Sequence, residues 1–136
     1  MTKRNVHGLW TISFEERILH TKVTGATNTE TGQVWLEEMQ ELLFSSQGSD
    51  SLPWVVLNDC RHWDTCSLDA WDYYNEMITW MSEHHCIFYA FVFSNKIQGF
   101  AAEKWFDAND ILNYFFDYEE AHQACLNALA KANNEQ

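Results

Sequence analysis

The sequence predicts an α/β fold, a five-stranded mixed sheet with packed helices in the order β-β-α-β-α-β-α-β-α. Three observations carry that expectation. Residues 9–24 alternate apolar and polar with a break at Glu15-Glu16, the pattern of a β-hairpin. Trp54–Leu57 and Cys86–Phe93 are continuous apolar runs, as in strands of a parallel sheet covered on both faces. Between and after these runs, apolar residues recur at three- and four-residue spacing, which marks helices that each bury one side.

Each element has its own signature. Leu9, Ile12 and Phe14 set the first strand; Ile18, His20, Lys22 and Thr24, alternating with Leu19, Thr21 and Val23, set the second. After Gly25, Thr27-Asn28-Thr29-Glu30 has the form of a capping box, in which Thr accepts from a helix amide and Glu reaches back to the cap. The helix it opens carries Trp35, Leu36, Met39, Leu42 and Leu43 on one face, and a polar loop over 45–51 and Pro53 lead into the Trp54 strand. Ser67 is expected to cap a second helix with Leu68, Trp71, Tyr74, Ile78 and Met81 inward. His84-His85 end it, suiting the negative end of the helix dipole. Asn95-x-x-Gln98 is the cap of a short third helix holding Ile97, Phe100, Ala101 and Trp105 inward, weakened by Gly99. Ile111–Phe116 is the last strand. Asp117-Tyr118-Glu119-Glu120 then caps a terminal helix with Ala121, Cys125, Leu126 and Leu129 inward, and 131–136 are expected to fray. With no repeat, linker or low-complexity segment, residues 1–136 read as one domain.

Composition narrows function. The chain has 136 residues, 46% of them hydrophobic and 15% aromatic, enough to fill a core without metal or disulfide staples. Lys+Arg number 8 against 20 Asp+Glu, a net charge of -12 with no basic cluster. Nucleic acid and anionic membranes are therefore not expected as partners, since binding to either begins by neutralising phosphates. Met1-Thr2-Lys3-Arg4-Asn5 runs into Val6-His7-Gly8 with no apolar stretch, so no secretory signal is expected. The longest apolar run is too short to span a bilayer, and a cytoplasmic location follows as the expectation. Cysteines stand at 60, 66, 86 and 125 with no CxxC pair, a spacing that favours free thiols.

Ligands and partners of open α/β sheets usually meet the carboxyl ends of the parallel strands. That edge should gather Asn58, Asp59, Cys60, Arg61, His62, Trp63 and Asp64 with Ser94, Asn95 and Lys96. The binding candidates among them are Asp59, Arg61, His62, Trp63, Asp64, Asn95 and Lys96. The plain alternative is that Asp59 and Arg61 pair with each other and Trp63 covers the core. Cys60-x-His62 with Cys66 offers three ligands of the kind zinc takes, but a fourth is missing, because His84, His85 and Cys86 belong at the far end of the sheet. No metal or cofactor is expected. A thiolate at Cys60 or Cys66 beside His62 lacks an orienting third group and an oxyanion loop, and Glu37-Glu38 and Glu119-Glu120 point apart on helix surfaces, so no enzyme is expected. The aromatics Trp35, Trp71, Tyr73, Tyr74, Trp80, Phe88, Tyr89 and Phe91 exceed one face per element, which fits a wide core stripe or a partner surface.

The element order, together with Trp54-Val55-Val56-Leu57-Asn58-Asp59 followed by Cys60-Arg61-His62-Trp63 and a helix, resembles the SpoIIAA-like or STAS-like family, named for the anti-sigma-factor antagonists. In the phosphoswitch branch an Asp-Ser-Ser-Gly stretch opens the helix after the central strand, and its second Ser accepts phosphate from a partner kinase. The matching stretch here is Asp64-Thr65-Cys66-Ser67, with cysteine in the acceptor place and serine in the glycine place. Ser67 is the nearest hydroxyl, but a phosphoswitch is not expected. The chain looks more like bacterial relatives of unassigned role that carry Asp-x-Arg after the central strand. The resemblance implies a non-enzymatic protein-interaction or regulatory module that binds another protein or itself. The alternative is a carrier or sensor of a small apolar or lipid-like ligand held among the aromatics.

Overall fold

The computed structural model describes residues 5–47 and 52–134. Its elements are β1 (Leu9–Glu15), β2 (Ile18–Thr27), α1 (Thr29–Gln47), β3 (Trp54–Cys66), α2 (Leu68–Glu83), β4 (Cys86–Val92), α3 (Lys96–Trp105), β5 (Leu112–Phe115) and α4 (Tyr118–Asn134). This is the order read from the sequence. The sheet runs β1-β2-β3-β4-β5, antiparallel between β1 and β2 and parallel thereafter. The β1–β2 turn is Glu16-Arg17, one residue later than the sequence suggested, with both residues at positive φ as a tight two-residue hairpin requires. Arg17 Nε donates to the Pro53 carbonyl at 2.6 Å, tying that turn to the start of β3.

Alternation along β3 divides the interior into two cores. Trp54, Val56 and Cys60 pack with Leu19, Trp35, Met39, Trp71, Met81 and Phe91 on the side of α1 and α2. Val55 and Leu57 pack with Ile18, Ala90, Val92, Ala121 and Cys125 under α4. α1 and α2 approach closely at Gly32: a Cβ there would lie 2.7 Å from Tyr74 Cε1 and 3.0 Å from Tyr73 Cδ1.

Several local expectations are corrected. The first capping box is shifted by one residue: Asn28 Oδ1 accepts from the Thr31 amide at 3.0 Å, and the Asn28 amide donates back to Thr31 Oγ1 at 3.2 Å. Thr27 ends β2 with its side chain buried. Ser67 occupies the N-cap position of α2, but its hydroxyl makes no cap bond and is held by Asp69. Leu68 is exposed rather than inward, and so is Leu126 on α4, while Ala121 and Cys125 are buried as expected. α1 runs on to Gln47, and 48–51 of the expected loop lie outside the described residues. α4 continues through Asn134.

The face of α3 is reversed. Asn95 Oδ1 caps the Gln98 amide at 2.9 Å as expected, yet the inward residues are Gly99 and Ala102. Small residues let the helix lie close to Phe116 and Phe93, the former 3.0 Å from where a Gly99 Cβ would sit. Bulky Ile97 and Phe100 are left on the outer side and are exposed, while Trp105 sits at the flank, half-exposed and stacked on Trp71.

Trp71 is buried and joins the rings of Trp63, Trp105 and Phe106 at centroid distances of 5.7, 6.2 and 5.0 Å. Trp71→Ala is expected to cost about 3–5 kcal/mol through the cavity it leaves. Gly32→Ala is expected to cost about 1–3 kcal/mol through overpacking. Urea denaturation reads both, and an unchanged midpoint in either variant contradicts the packing described.

Candidate functional site

The stretch expected beyond the carboxyl end of the central strand is instead the second half of β3. It pairs with β2 through Thr24↔His62, Gly25↔Trp63, Ala26↔Thr65 and Thr27↔Cys66, with irregularities between Lys22/Thr24 and Gly25/Ala26. Such bulges re-aim side chains, and the expected cluster is distributed between the two sides of the sheet.

On the α4 side, Arg61 clasps Asp59. Its Nε donates to Asp59 Oδ1 at 2.9 Å and its Nη2 to Oδ2 at 2.8 Å, and the Arg61 amide adds a third bond to Oδ1 at 3.1 Å. The guanidinium lies over the Tyr118 ring, 5.3 Å from its centroid. The Arg61 hydrogen bond holds the Asp59 carboxyl below the usual range against the opposing effect of burial. The expected pairing of these two residues is therefore present.

On the α1/α2 side, Trp63 is buried in the core rather than presented for binding. Its Nε1 donates to Thr27 Oγ1 at 3.0 Å, and the Tyr74 hydroxyl lies 2.8 Å from the same oxygen and 3.0 Å from the Asn28 carbonyl. Asn58 Nδ2 donates to the Tyr89 hydroxyl at 2.8 Å, while Asn58 Oδ1 accepts from Cys60 Sγ at 3.3 Å. These groups border a cavity of about 70 Å³ lined also by Trp35, Met77 and Phe106. An apolar cavity of about 150 Å³ is what holds benzene, and drug-sized ligands need about 300 Å³ or more. A lipid-like ligand does not fit this space.

Of the other expected site residues, His62 and Asp64 are exposed on β3, Asn95 is the α3 cap, and Lys96 is exposed in the first turn of α3. The residue that joins them was read only as part of a cap. Gln98 Nε2 donates to the Cys60 carbonyl at 2.9 Å and to the Trp63 carbonyl at 2.6 Å, while its Oε1 accepts from the Ser94 amide at 2.9 Å. One amide side chain thus ties α3 to the β3 extension and to the end of β4. Thr27 and Tyr74 also went unassigned as site residues; the buried character of Thr27 is visible only once Trp63 is placed beside it.

All four cysteines are free and buried. Burial pushes the Cys66, Cys86 and Cys125 thiols up to about 12 and Cys60 higher still. A thiol at about 12 is ionised on the order of one part in 10⁵ at neutral pH, so none is a prepared nucleophile. Among the described residues no three His, Cys, Asp or Glu side chains are grouped to hold a metal ion.

An exposed apolar patch lies on α3, while Leu9, Phe44 and Leu68 are exposed elsewhere. Ile97 is 82% and Phe100 66% exposed, and Trp105 and Phe116 stand half out of the core beside them. Lys104 Nζ sits 5.6 Å from the Trp105 ring centroid. The aromatics suggested by the sequence as a partner surface are elsewhere: Tyr73 and Trp80 are half-buried against the core, and Trp80 stacks on His84 at 4.0 Å.

This arrangement is the SpoIIAA-like fold. The chain is similar in structure to an uncharacterised DUF3478-family protein with a SpoIIAA-like fold from Shewanella loihica PV-4, with a TM-score of 0.58 and 21% identity over 92% of this chain and 98% of that one. It is also similar to an anti-sigma factor antagonist from Mycobacterium paratuberculosis, with a TM-score of 0.54 and 9% identity over 90% of this chain and 95% of that one. No family model and no curated protein matches the sequence. Among the described residues no helix is long and apolar enough to cross a membrane.

The geometry sets what substitutions here should do. Trp63→Ala is expected to cost about 3–5 kcal/mol, as for any large buried ring. Arg61→Ala should cost about 1 kcal/mol, because the half-exposed guanidinium is screened. The depressed Asp59 pKa contributes stability above the ordinary carboxylate range, and that contribution is lost as pH falls through the folded value. Arg61→Ala should therefore flatten the acid limb of a melting-temperature profile, and an unaltered limb contradicts the clasp. The four thiols should resist a disulfide reagent at pH 8 until denaturant is added.

Proposed function

We propose that this chain is a non-enzymatic, STAS-like interaction module that binds another protein through the outer face of α3. The observation that carries the reading is the exposed pair Ile97 and Phe100 on the outer side, flanked by the half-exposed Trp105 and Phe116, on a helix that the Gln98 amide pins in place. Exposed aromatic and aliphatic residues grouped in this way mark interaction surfaces. Asn95 and Lys96 start that helix, and the Gln98 amide ties it to the Trp63 carbonyl, between the exposed His62 and Asp64 of β3. The likeness to an anti-sigma factor antagonist supports a protein as the partner.

Charge decides what kind of protein. In a chain of net charge -12, α3 carries Lys96 and Lys104 near its two ends and only Glu103 as an acid. An antiparallel pairing of two such helices would set Lys96 of one copy near Lys104 of the other, which disfavours a second copy as occupant. A partner with apolar side chains flanked by carboxylates satisfies both features. A cytoplasmic role fits four buried free thiols.

Native mass spectrometry of tagged protein purified from its own host tests this. A stoichiometric polypeptide should co-purify with the unmodified chain and with Lys22→Gln, and be lost with Phe100→Glu, whose exposed site keeps the change in stability within about 0.5 kcal/mol. Calorimetric titration of the identified polypeptide should then show the same loss. A homodimer mass, or partner binding that Phe100→Glu leaves intact, contradicts the reading.

A further inference from the structure

α4 packs mainly against β3, β4 and β5 and reaches β2 at Ile18 and His20, the latter with its ring 6.1 Å from that of His122, while the Thr11, Ser13 and Lys22 side of this sheet face borders a pocket. The pocket, of about 310 Å³, is floored by Thr11, Ser13, His20 and Lys22 and walled by Arg61 and Tyr118. This volume lies at the lower end of what small-molecule sites occupy. Lys22 and Arg61, two of the eight lysines and arginines of the chain, meet the His20 imidazole at one place. The Asp59 charge is committed to the Arg61 fork, which uses Nε and Nη2. The Arg61 Nη1 and the Lys22 ammonium have no hydrogen bond among the described residues. The hydroxyls of Thr11 and Ser13 supply neutral donors beside them.

The guanidinium is also prepositioned, since Asp59 fixes its plane and Tyr118 lies under it. A donor held in place loses less entropy when a ligand arrives. Among the acids, Asp59 and Asp117 act on Arg61 and Glu15 acts on His20, and against them the Lys22 ammonium and the Arg61 guanidinium supply the cationic side of the pocket. We propose that this pocket binds a small oxyanion, a phosphate or carboxylate, held by Lys22 and Arg61 with His20 and the Thr11 and Ser13 hydroxyls completing its shell. The site lies across the sheet from α1 and α2 and shares no residue with the α3 patch, so either assignment can fail without the other.

NMR titration of the full chain with inorganic phosphate, and separately with acetate, against chloride at matched ionic strength, tests it. Saturable shifts confined to β1, β2, Arg61 and Tyr118 should appear with one of the two anions, and which anion gives them names the class. Lys22→Gln should weaken that binding by about fivefold or more, while Lys96→Gln leaves it unchanged. The His20 imidazole supplies a second readout. Burial and the neighbouring His122 hold its pKa below the ordinary value, with Glu15 opposing, and a bound anion should raise it. Shifts that match chloride, or saturable shifts that Lys22→Gln leaves unchanged, overturn the proposal.

Discussion

The buried hydroxyl of Thr27 is the point on which the rest of the arrangement turns. It accepts from Trp63 Nε1 and lies within bonding distance of the Tyr74 hydroxyl, joining the end of β2, the bulged part of β3 and α2 at one oxygen. A buried polar atom left without its partner costs about 1–3 kcal/mol, so these three elements are constrained together. The bulge between Asp59 and His62 breaks the two-residue alternation, so Arg61 lies on the opposite side of the sheet from Trp63 and closes on Asp59. Gln98 then meets the Cys60 and Trp63 carbonyls where the bulges expose them.

From that constraint follow two surfaces of different chemistry. On one, α3 is drawn close to the sheet through Gly99 and Ala102, which leaves Ile97 and Phe100 in solvent. On the other, the β1–β2 side of the sheet carries hydroxyls and cations. Neither contains an activated nucleophile: the thiols nearest the strand ends are buried and held protonated. The small cavity between the sheet and α1 and α2 is bordered by aromatic and polar side chains.

Most of this architecture was legible because it is written in periodicity. The strands Trp54–Leu57 and Cys86–Val92 are apolar without interruption, and α1, α2 and α4 carry their stripes at helical spacing. The second half of β3 was not legible, since Cys60-Arg61-His62-Trp63-Asp64-Thr65-Cys66 is polar and its bulges break the two-residue alternation that marks a strand. The orientation of α3 was hidden for a different reason. Apolar residues at 97, 100, 101 and 105 satisfy helical spacing whether they face core or solvent, and only the small residues at 99 and 102 hint at which side lies close to the sheet. The Asp59–Arg61 pair was legible from its two-residue spacing, whereas the role of Gln98 depends on contacts made 35 and 38 residues away.

Amide hydrogen exchange along β3 tests the account most directly. If residues 60–66 continue the strand and are fixed through Thr27, the paired amides between Arg61 and Cys66 should exchange slowly, approaching the protection of Val55–Asp59. Thr27→Val should release that protection locally while the first half of the strand keeps its own. Exchange of 60–66 at the rate of an open loop in the unmodified chain would contradict the strand extension and, with it, the placement of both surfaces.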